Sequence, residues 1–340
     1  MSHRRIAILA AVLLMLVALG WTALWYYAAG IVRTKLVEGA EARRAEGYTV
    51  AYDDLSISGY PARLRVRLDH PQLGKSPQYS WRADRLIATF EPWHFRSIRL
   101  ESPGEHHIEI DNGRRSFRVV APAATGRIEF DREWGVSALL MGFRNVDIGE
   151  SGQPDTINFA SLDLNAYIPF NATAGDPSVV FVVSAEHIVA PFPSGAALAP
   201  SIEKVGLDID IWGHPFGSPL KDAVEAWRDQ GGTIDLKVVL LRWGPLFVEG
   251  DGTLALDRDL QPVGALSARV SGYSESFDVL VNAGMIRPTT AAAATTVLNL
   301  IAKSPIEGEP AEAKIPITIQ ERQLYVGPVN FFEMPRIRWE

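Results

Sequence analysis

The chain contains no cysteine among its 340 residues. This absence excludes disulfides, a thiolate nucleophile, iron–sulfur clusters and any zinc site that uses cysteine ligands. It also excludes anchorage through a lipid attached to cysteine. A chain without cysteine cannot form mispaired disulfides, which suits an oxidising compartment.

The sequence also lacks any block of five or six lysine or arginine residues, and its formal net charge is −7. Affinity for nucleic acid comes mainly from basic patches that contact the phosphate backbone. We therefore predict that nucleic acid is not a partner of this chain.

Recognised catalytic motifs are missing as well. The sequence has no GxSxG, no glycine-rich GxGxxG or GxxxxGKS loop and no HExxH pattern. His106 and His107 are adjacent, so in a strand they would point to opposite faces and could not easily share a metal ion. We predict no catalytic residue, no cofactor and no metal site.

The closest approaches to a reactive pair are Glu186-His187 and Asp208 with Asp210. The two aspartates are two residues apart, so in a strand they share one face and could bind a cation. The commoner arrangement is a solvated face whose intervening apolar residues pack inside, here Leu207, Ile209 and Ile211. We favour that structural interpretation over a hydrolase built on these pairs.

The most informative feature present is an uncharged apolar run over residues 6–30, which begins directly after Arg4 and Arg5. A bilayer core takes about 20 apolar residues as a helix. We predict a membrane anchor over residues 1–30. A short N-terminal tail remains in the cytoplasm easily, and long domains translocate largely regardless of charge. We expect a single-pass inner-membrane protein with a cytoplasmic N-terminus and a periplasmic body.

A cleaved signal peptide is the alternative, with Ala18-Leu19-Gly20 as its cleavage site. The apolar run continues well beyond that site and ends in aromatic residues typical of a membrane interface. This extension favours an uncleaved anchor. Its predicted membrane-contacting residues are Ile6, Leu14, Trp21, Trp25, Tyr26 and Tyr27.

Residues 31–47 are good helix formers and predict a connecting helix. From residue 48 the apolar period changes to two, most clearly over residues 62–68, after the turn Gly59-Tyr60-Pro61. In this strand the basic residues lie on one face, which we call the basic stripe, and the apolar residues lie on the other face. The stripe can contact lipid phosphates or an acidic partner, or it can be a solvated face paired with nearby aspartates; its members are Arg63, Arg65 and Arg67.

Short strands separated by turn signals recur at intervals of about 8–15 residues along the rest of the chain. We predict a hairpin turn at residues 111–113, another at residues 249–252, and helices over 218–230, 274–284 and 289–303. Ser218 is the predicted N-cap of the first of these. The predicted fold is mainly β with a few helices: one N-terminal transmembrane helix followed by a large, curved antiparallel β-sheet body. Its regions are residues 48–200 and residues 201–340, the second carrying the short helices.

Several motifs in the C-terminal region carry a family likeness. In order they are Arg242-Trp243-Gly244-Pro245-Leu246, Glu249-Gly250-Asp251-Gly252-Thr253-Leu254 and Gln323-Leu324-Tyr325-Val326-Gly327-Pro328. Together with the anchor and Gly59-Tyr60-Pro61, they resemble the bacterial envelope family known as domain of unknown function 2125. The resemblance implies a β-rich protein with one anchoring helix, and it implies no activity. A more distant architectural likeness is to AsmA-like envelope proteins, which are associated with lipid handling.

Two functional hypotheses follow. The first is a non-enzymatic envelope protein that binds a lipid or another apolar molecule along a curved sheet. The second is a scaffold or assembly factor that binds another envelope protein through a sheet edge or the acidic surface. Trp243, beside Gly244-Pro245, is a candidate for lining a ligand groove or for anchoring a bend from a buried position.

Overall fold

The structure is a computed structural model that describes residues 3–91, 93–94, 96–111, 113, 115–170, 173, 175–191, 198–215, 217, 219–284, 286–302 and 312–339, with side chains from residue 8 onward. The described residues form four helices and one open antiparallel sheet of eighteen strands. This confirms the predicted mainly β fold with one long apolar helix at the N-terminus. The predicted N-cap, Ser218, lies outside the described residues.

The chain divides into two compact units. Unit 1 comprises residues 1–134 and 148–153, and unit 2 comprises residues 135–147 and 154–340. The regional boundary predicted at residue 200 stays a prediction.

Unit 1 begins with one continuous helix, α1 (His3–Ala45), which joins the predicted anchor and the predicted connecting helix without a break. Its 43 residues extend about 65 Å. Its partly or fully buried residues recur with the spacing of one helix face, and this face packs on the first two strands. They are Thr22, Trp25, Ala28, Ala29, Val32, Val37 and Ala40.

The strands of unit 1 form a forked sheet. They are β1 (Thr49–Ala51), β2 (Asp54–Ser58), β3 (Leu64–Asp69), β4 (Gln72–Lys75), β5 (Tyr79–Ala83), β6 (Arg85–Phe90), β7 (Ser97–Asp111) and β8 (Ser116–Phe130). The first half of β7 pairs with β6, which continues to β3 and β2. The second half pairs with β5, which continues to β4 and β1. The other side of β7 pairs with β8.

The strands β7 and β8, each of 15 residues, are longer than the short strands that the sequence predicts. Pro103 and Gly104 bend β7 without ending it, because the register with β8 shifts between Pro103 and His106. Gly104 takes a φ of 96°, which suits glycine in such a bulge. The predicted hairpin is confirmed by the pairing of Asp111 with Ser116, whereas Asn112 of the predicted turn lies outside the described residues.

Unit 2 is a meander in which each strand pairs with the next along the chain. Its strands are β9 (Val136–Glu150, of which residues 148–150 group with unit 1), β10 (Thr156–Tyr167), β11 (Val179–Val189), β12 (Ile202–Trp212), β13 (Thr233–Trp243), β14 (Leu246–Leu256), β15 (Pro262–Ser271), β16 (Glu312–Gln320), β17 (Gln323–Val326) and β18 (Val329–Glu333). Three helices interrupt them: α2 (Leu220–Asp229), α3 (Tyr273–Asn282) and α4 (Pro288–Ile301).

The best-packed core of unit 2 lies where α3 and α4 cover its C-terminal strands. Leu298 of α4 and Tyr273 at the start of α3 are almost fully buried there. They pack against buried residues of β15 and β16, namely Ala268, Val270, Ala313 and Ile315.

The turn predicted at residues 249–252 was wrong, because these residues lie inside the continuous strand β14. Glycine at these positions allows the neighbouring strand to approach closely. A Cβ on Gly252 would lie 2.4 Å from the carbonyl oxygen of Ala265 and 2.6 Å from Cα of Leu266. The chain reverses instead at Gly244, between β13 and β14, where φ is 57°.

Candidate functional site

One face of the unit 2 sheet is apolar across four consecutive strands. Directly paired residues on neighbouring antiparallel strands share a face, and Leu164 pairs with Val183, which pairs with Leu207, which pairs with Val239. The adjacent rows are equally apolar. We call this surface the apolar face: Leu162, Leu164, Ala166, Phe181, Val183, Ala185, Val205, Leu207, Ile209, Ile211, Ile234, Leu236, Val239 and Leu241.

The opposite side of the same strands carries the charges. Lys204 contacts Glu186 at 3.2 Å, and Lys237 contacts Asp210 at 3.6 Å and Asp235 at 3.4 Å. Asp235 also accepts hydrogen bonds from Thr253 and Trp212, and the bond from Thr253 is the main cause that lowers its pKa. The charged side chains of this polar face are therefore bound to one another and to their neighbours by ion pairs and hydrogen bonds.

The apolar face is incompletely covered by the described protein. Among its residues only Ala185 is fully buried, and Leu164 is 38% exposed. By contrast, the cluster beneath α3 and α4 is no more than 7% exposed at any residue. A contiguous apolar surface left partly open is typical of a binding site for an apolar partner.

The second candidate feature is the junction between α1 and the turn that joins β2 to β3. The indole nitrogen of Trp21 donates to the carbonyl oxygen of Pro61 at 2.9 Å, and that of Trp25 donates to Arg63 at 3.0 Å. The hydroxyl groups of Thr22 and Tyr60 lie 2.7 Å apart. The helix is therefore attached to the sheet of unit 1 along this turn.

The predicted anchor residues fall into two groups in the structure. Leu14, Tyr26 and Tyr27 are exposed, whereas Trp25 is only 7% exposed because it packs edge-on against Tyr60. Residues 8–20 are exposed throughout, and within the described residues one helix, α1, is long and apolar enough to cross a membrane. The side chain of Ile6 lies outside the described part. The contacts of all six predicted anchor residues with a membrane stay predictions.

The predicted basic stripe lies on β3 and the turn before it, and all three arginines are exposed. Arg67 contacts Asp69 at 2.6 Å, and Arg85 contacts the same carboxylate at 2.9 Å. Hydrogen bonds from Arg67 and Arg85 lower the pKa of Asp69 to about 2. Among the described residues, no carboxylate lies within ion-pair distance of Arg63 or Arg65, so these two remain open to an external anion.

Trp243 is buried at the end of β13, where its indole nitrogen donates to the carbonyl oxygen of Ala199 at 3.3 Å. The neighbouring amide of Gly244 donates to the carboxylate of Glu203. Trp243 thus ties the β13–β14 turn to the segment before β12. Its contact with a ligand stays a prediction.

The candidate acid–base pairs are engaged in structural contacts. Glu186 is paired with Lys204, and the exposed His187 follows it with a φ of 49°. Asp210 faces Lys237, and the whole of β12 is half-buried, so its aspartates are less solvated than a simple amphipathic strand predicts.

His106 is buried between two hydrogen-bond partners. Its Nδ1 accepts from Trp81 and its Nε2 then donates to the carbonyl oxygen of Ser102, an arrangement that requires the neutral ring. Burial lowers the pKa of His106, which favours the same neutral state. His107 contacts Glu105 instead. In the part of the chain that the structure describes, no three His, Asp or Glu side chains are placed to hold a metal ion.

Comparison with known proteins identifies the family of this chain. No curated protein and no solved structure matches the chain, and the likeness to AsmA-like proteins stays a prediction. Residues 25–335 match a family described as uncharacterized proteins conserved in bacteria, and this match begins at Trp25, the residue that joins α1 to the turn. Because the match covers nearly all of both units, the chain belongs to the bacterial family known as domain of unknown function 2125.

Proposed function

We propose that this protein is a non-enzymatic, membrane-anchored envelope protein that holds a lipid or a similar apolar molecule on the apolar face of unit 2. The observation that carries the proposal is the apolar face itself, on which four strands present aliphatic side chains and the ring of Phe181, incompletely covered by the described protein. Burial of such surface from water contributes about 25 cal/mol per Å².

The chemistry of this face favours an acyl chain as the occupant. Its side chains offer no hydrogen-bond donor or acceptor, so a polar ligand would lose its hydration there without compensation. An acyl chain forms no hydrogen bonds with water, so it loses none when it binds there. Four charged groups of the same strands, Glu186, Lys204, Asp210 and Lys237, lie on the polar face, where they form ion pairs.

The proposed location follows from α1. Residues 8–20 expose apolar side chains on all sides, which is stable in a bilayer and unfavourable in water. We place the helix in the inner membrane, the N-terminus in the cytoplasm and both units in the periplasm. In that arrangement the protein works beside the membrane that supplies the lipid.

Photocrosslinking in cells tests the ligand. A benzoylphenylalanine residue replaces Leu164, on the apolar face, or the adjacent Asn165, on the opposite face. We expect a phosphorus-labelled lipid adduct from position 164 and little from position 165. Equal labelling at both positions, or none at position 164, would reject lipid binding on this face.

The second candidate is a scaffold that binds another envelope protein along a sheet edge. Among the described strands, β18 pairs only with β17, and its Phe332 is 49% exposed. Benzoylphenylalanine at position 332 distinguishes the two candidates. One dominant protein adduct there, combined with no lipid adduct at position 164, would favour the scaffold.

A further inference from the structure

One end of the unit 1 sheet gathers three loops. Antiparallel register places Leu64 opposite Phe90, Phe90 opposite Ile98, and Ile98 opposite Ile128. The turn before β3, the loop between β6 and β7, and the segment after β8 therefore leave the sheet at the same end. Four strand spacings separate β2 from β8, or about 19 Å.

Each of these loops carries an exposed aromatic residue. Tyr60 is 47% exposed in the first, Trp93 is 57% exposed in the second, and Trp134 is 60% exposed in the third. We call these three residues the aromatic rim. Large exposed aromatic side chains are uncommon on surfaces that face only water, whereas tyrosine and tryptophan are enriched where membranes meet water.

A basic row crosses the sheet directly behind the aromatic rim. Arg65 pairs with Thr89, Thr89 pairs with Arg99, and Arg99 pairs with Arg127, so the four side chains share one face. Like charges directly opposite each other, as in Arg99 and Arg127, disfavour the sheet unless an anion compensates them.

Part of this compensation is internal, since Arg127 lies 3.8 Å from Glu129, and Glu91 is close enough to Arg99 for their charges to interact. Among the described residues, Arg65 and Arg99 have no carboxylate within ion-pair distance. A cavity of about 290 Å³ opens beside the row, and Arg99 and Arg127 line it together with Thr89 and the carboxylates Glu91 and Glu129. Arg65 is therefore available to a phosphate group, whereas Arg99 and Arg127 would bind one beside two carboxylates.

The attachment of α1 sets the depth of this end of the sheet. Counted from Ile6, where the uncharged run begins, a span of about 20 residues ends near residue 25. Trp21 and Thr22 contact Pro61 and Tyr60 just inside that limit. With α1 in the bilayer as proposed above, Tyr60 would lie at the level where the acyl chains meet the headgroups.

We propose that the aromatic rim and the basic row rest in the headgroup layer of the bilayer that α1 crosses, with the aromatic rings at its boundary and the arginines on lipid phosphates. This inference rests on the membrane anchorage proposed above. It adds a second membrane contact, made by the sheet of unit 1, which would hold this unit at a fixed depth on the bilayer.

The lack of cysteine makes the test direct, because any introduced thiol is unique. Full-length variants Trp93→Cys and Trp134→Cys are labelled with an environment-sensitive fluorophore and reconstituted in vesicles of phosphatidylethanolamine and phosphatidylglycerol. Lipids with a spin label near the headgroup then serve as quenchers. The matched control is Ile110→Cys, 45% exposed at the opposite end of β7. Leu14→Cys reports the anchor itself.

We expect loss of fluorescence at positions 93 and 134 and none at position 110. Replacing both Arg99 and Arg127 by glutamine should reduce that loss, whereas Arg118→Gln, near the other end of β8, should not. If Leu14→Cys is quenched by acyl-chain spin labels while positions 93 and 134 behave like position 110, the rim contact is wrong and the anchorage stands. If Leu14→Cys is not quenched, the anchorage fails and the inference with it.

Discussion

Two tryptophans determine how the helix meets the rest of unit 1. Trp21 and Trp25 each donate one hydrogen bond to a backbone carbonyl of the β2–β3 turn, and Trp25 is also buried against Tyr60. The sequence assigns both residues to an aromatic belt in the membrane interface. In the structure Trp25 packs against this turn, and its contact with the membrane interface stays a prediction.

Replacing Trp25 should therefore weaken unit 1. We expect Trp25→Ala to lower the free energy of unfolding by about 3–5 kcal/mol, as for other buried large-to-small substitutions. Trp25→Phe removes mainly one hydrogen bond, at a cost of about 1 kcal/mol. Denaturant unfolding of the full chain in micelles measures both, and Tyr27→Ala, at an exposed position, is the control. Equal effects at positions 25 and 27 would contradict the buried contact.

Asp69 makes the stability of unit 1 depend on pH. Hydrogen bonds from Arg67 and Arg85 lower its pKa to about 2, so the folded state favours the carboxylate more than the unfolded state does. The resulting stabilisation is complete above the ordinary aspartate pKa of about 4 and is lost as the pH falls toward 2. In the Asp69→Asn variant, the stability of unit 1 should no longer show this part of its dependence on pH. Unchanged acid unfolding in that variant would show that the ion pairs do not contribute.

At the scale of elements, the strands of unit 2 approach one another so closely that some positions admit only glycine. Gly252 on β14 is such a position, because an added Cβ would overlap the backbone of β15. Gly206 on β12 provides a matched control, since its nearest neighbour would be Cβ of Leu240 at an ordinary 3.4 Å.

We expect Gly252→Ala to destabilise unit 2 by about 1–3 kcal/mol, as overpacking usually does. Gly206→Ala should have little effect on stability. The urea midpoint of unfolding for the two variants tests the difference. A comparable loss of stability in both would show that β14 and β15 separate to admit the methyl group.

The sequence allows several elements to be predicted and conceals others. The alternation over residues 64–68 identifies β3 correctly, with Leu64 buried and Arg65 exposed. The apolar face is harder to see, because β11 also carries Val180 and Val182 on its polar side, so its alternation is incomplete. Pro103 and Gly104 resemble a strand end, yet pairing on both sides of β7 maintains the strand through a bulge.

The contacts of α1 show why a candidate site is less predictable than a fold. Hydropathy alone predicts the apolar part of the helix, whereas its continuation to Ala45 is predicted from good helix formers. The pairing of Trp21 with Pro61 and of Trp25 with Arg63 joins residues about forty positions apart, and no local pattern encodes it. The aromatic rim likewise appears only once strand register brings Tyr60, Trp93 and Trp134 to one end of the sheet.

For the whole molecule, both proposed contacts with lipid depend on the compartment that holds the two units. An apolar face that receives lipid, and a rim that rests on headgroups, both require α1 to remain uncleaved in the membrane. Cleavage after Gly20 would leave Trp21 and Trp25 on the turn but would release both units from the bilayer.

Reporter fusions after Lys35 and at Glu340 test this requirement most directly. We predict alkaline phosphatase activity from both fusions, with the protein retained in membranes after an alkaline wash, because about 20 apolar residues suffice to span the bilayer. Fluorescence from a cytoplasm-only reporter at Glu340 would contradict the periplasmic location. Release of the protein by the wash would contradict the uncleaved anchor.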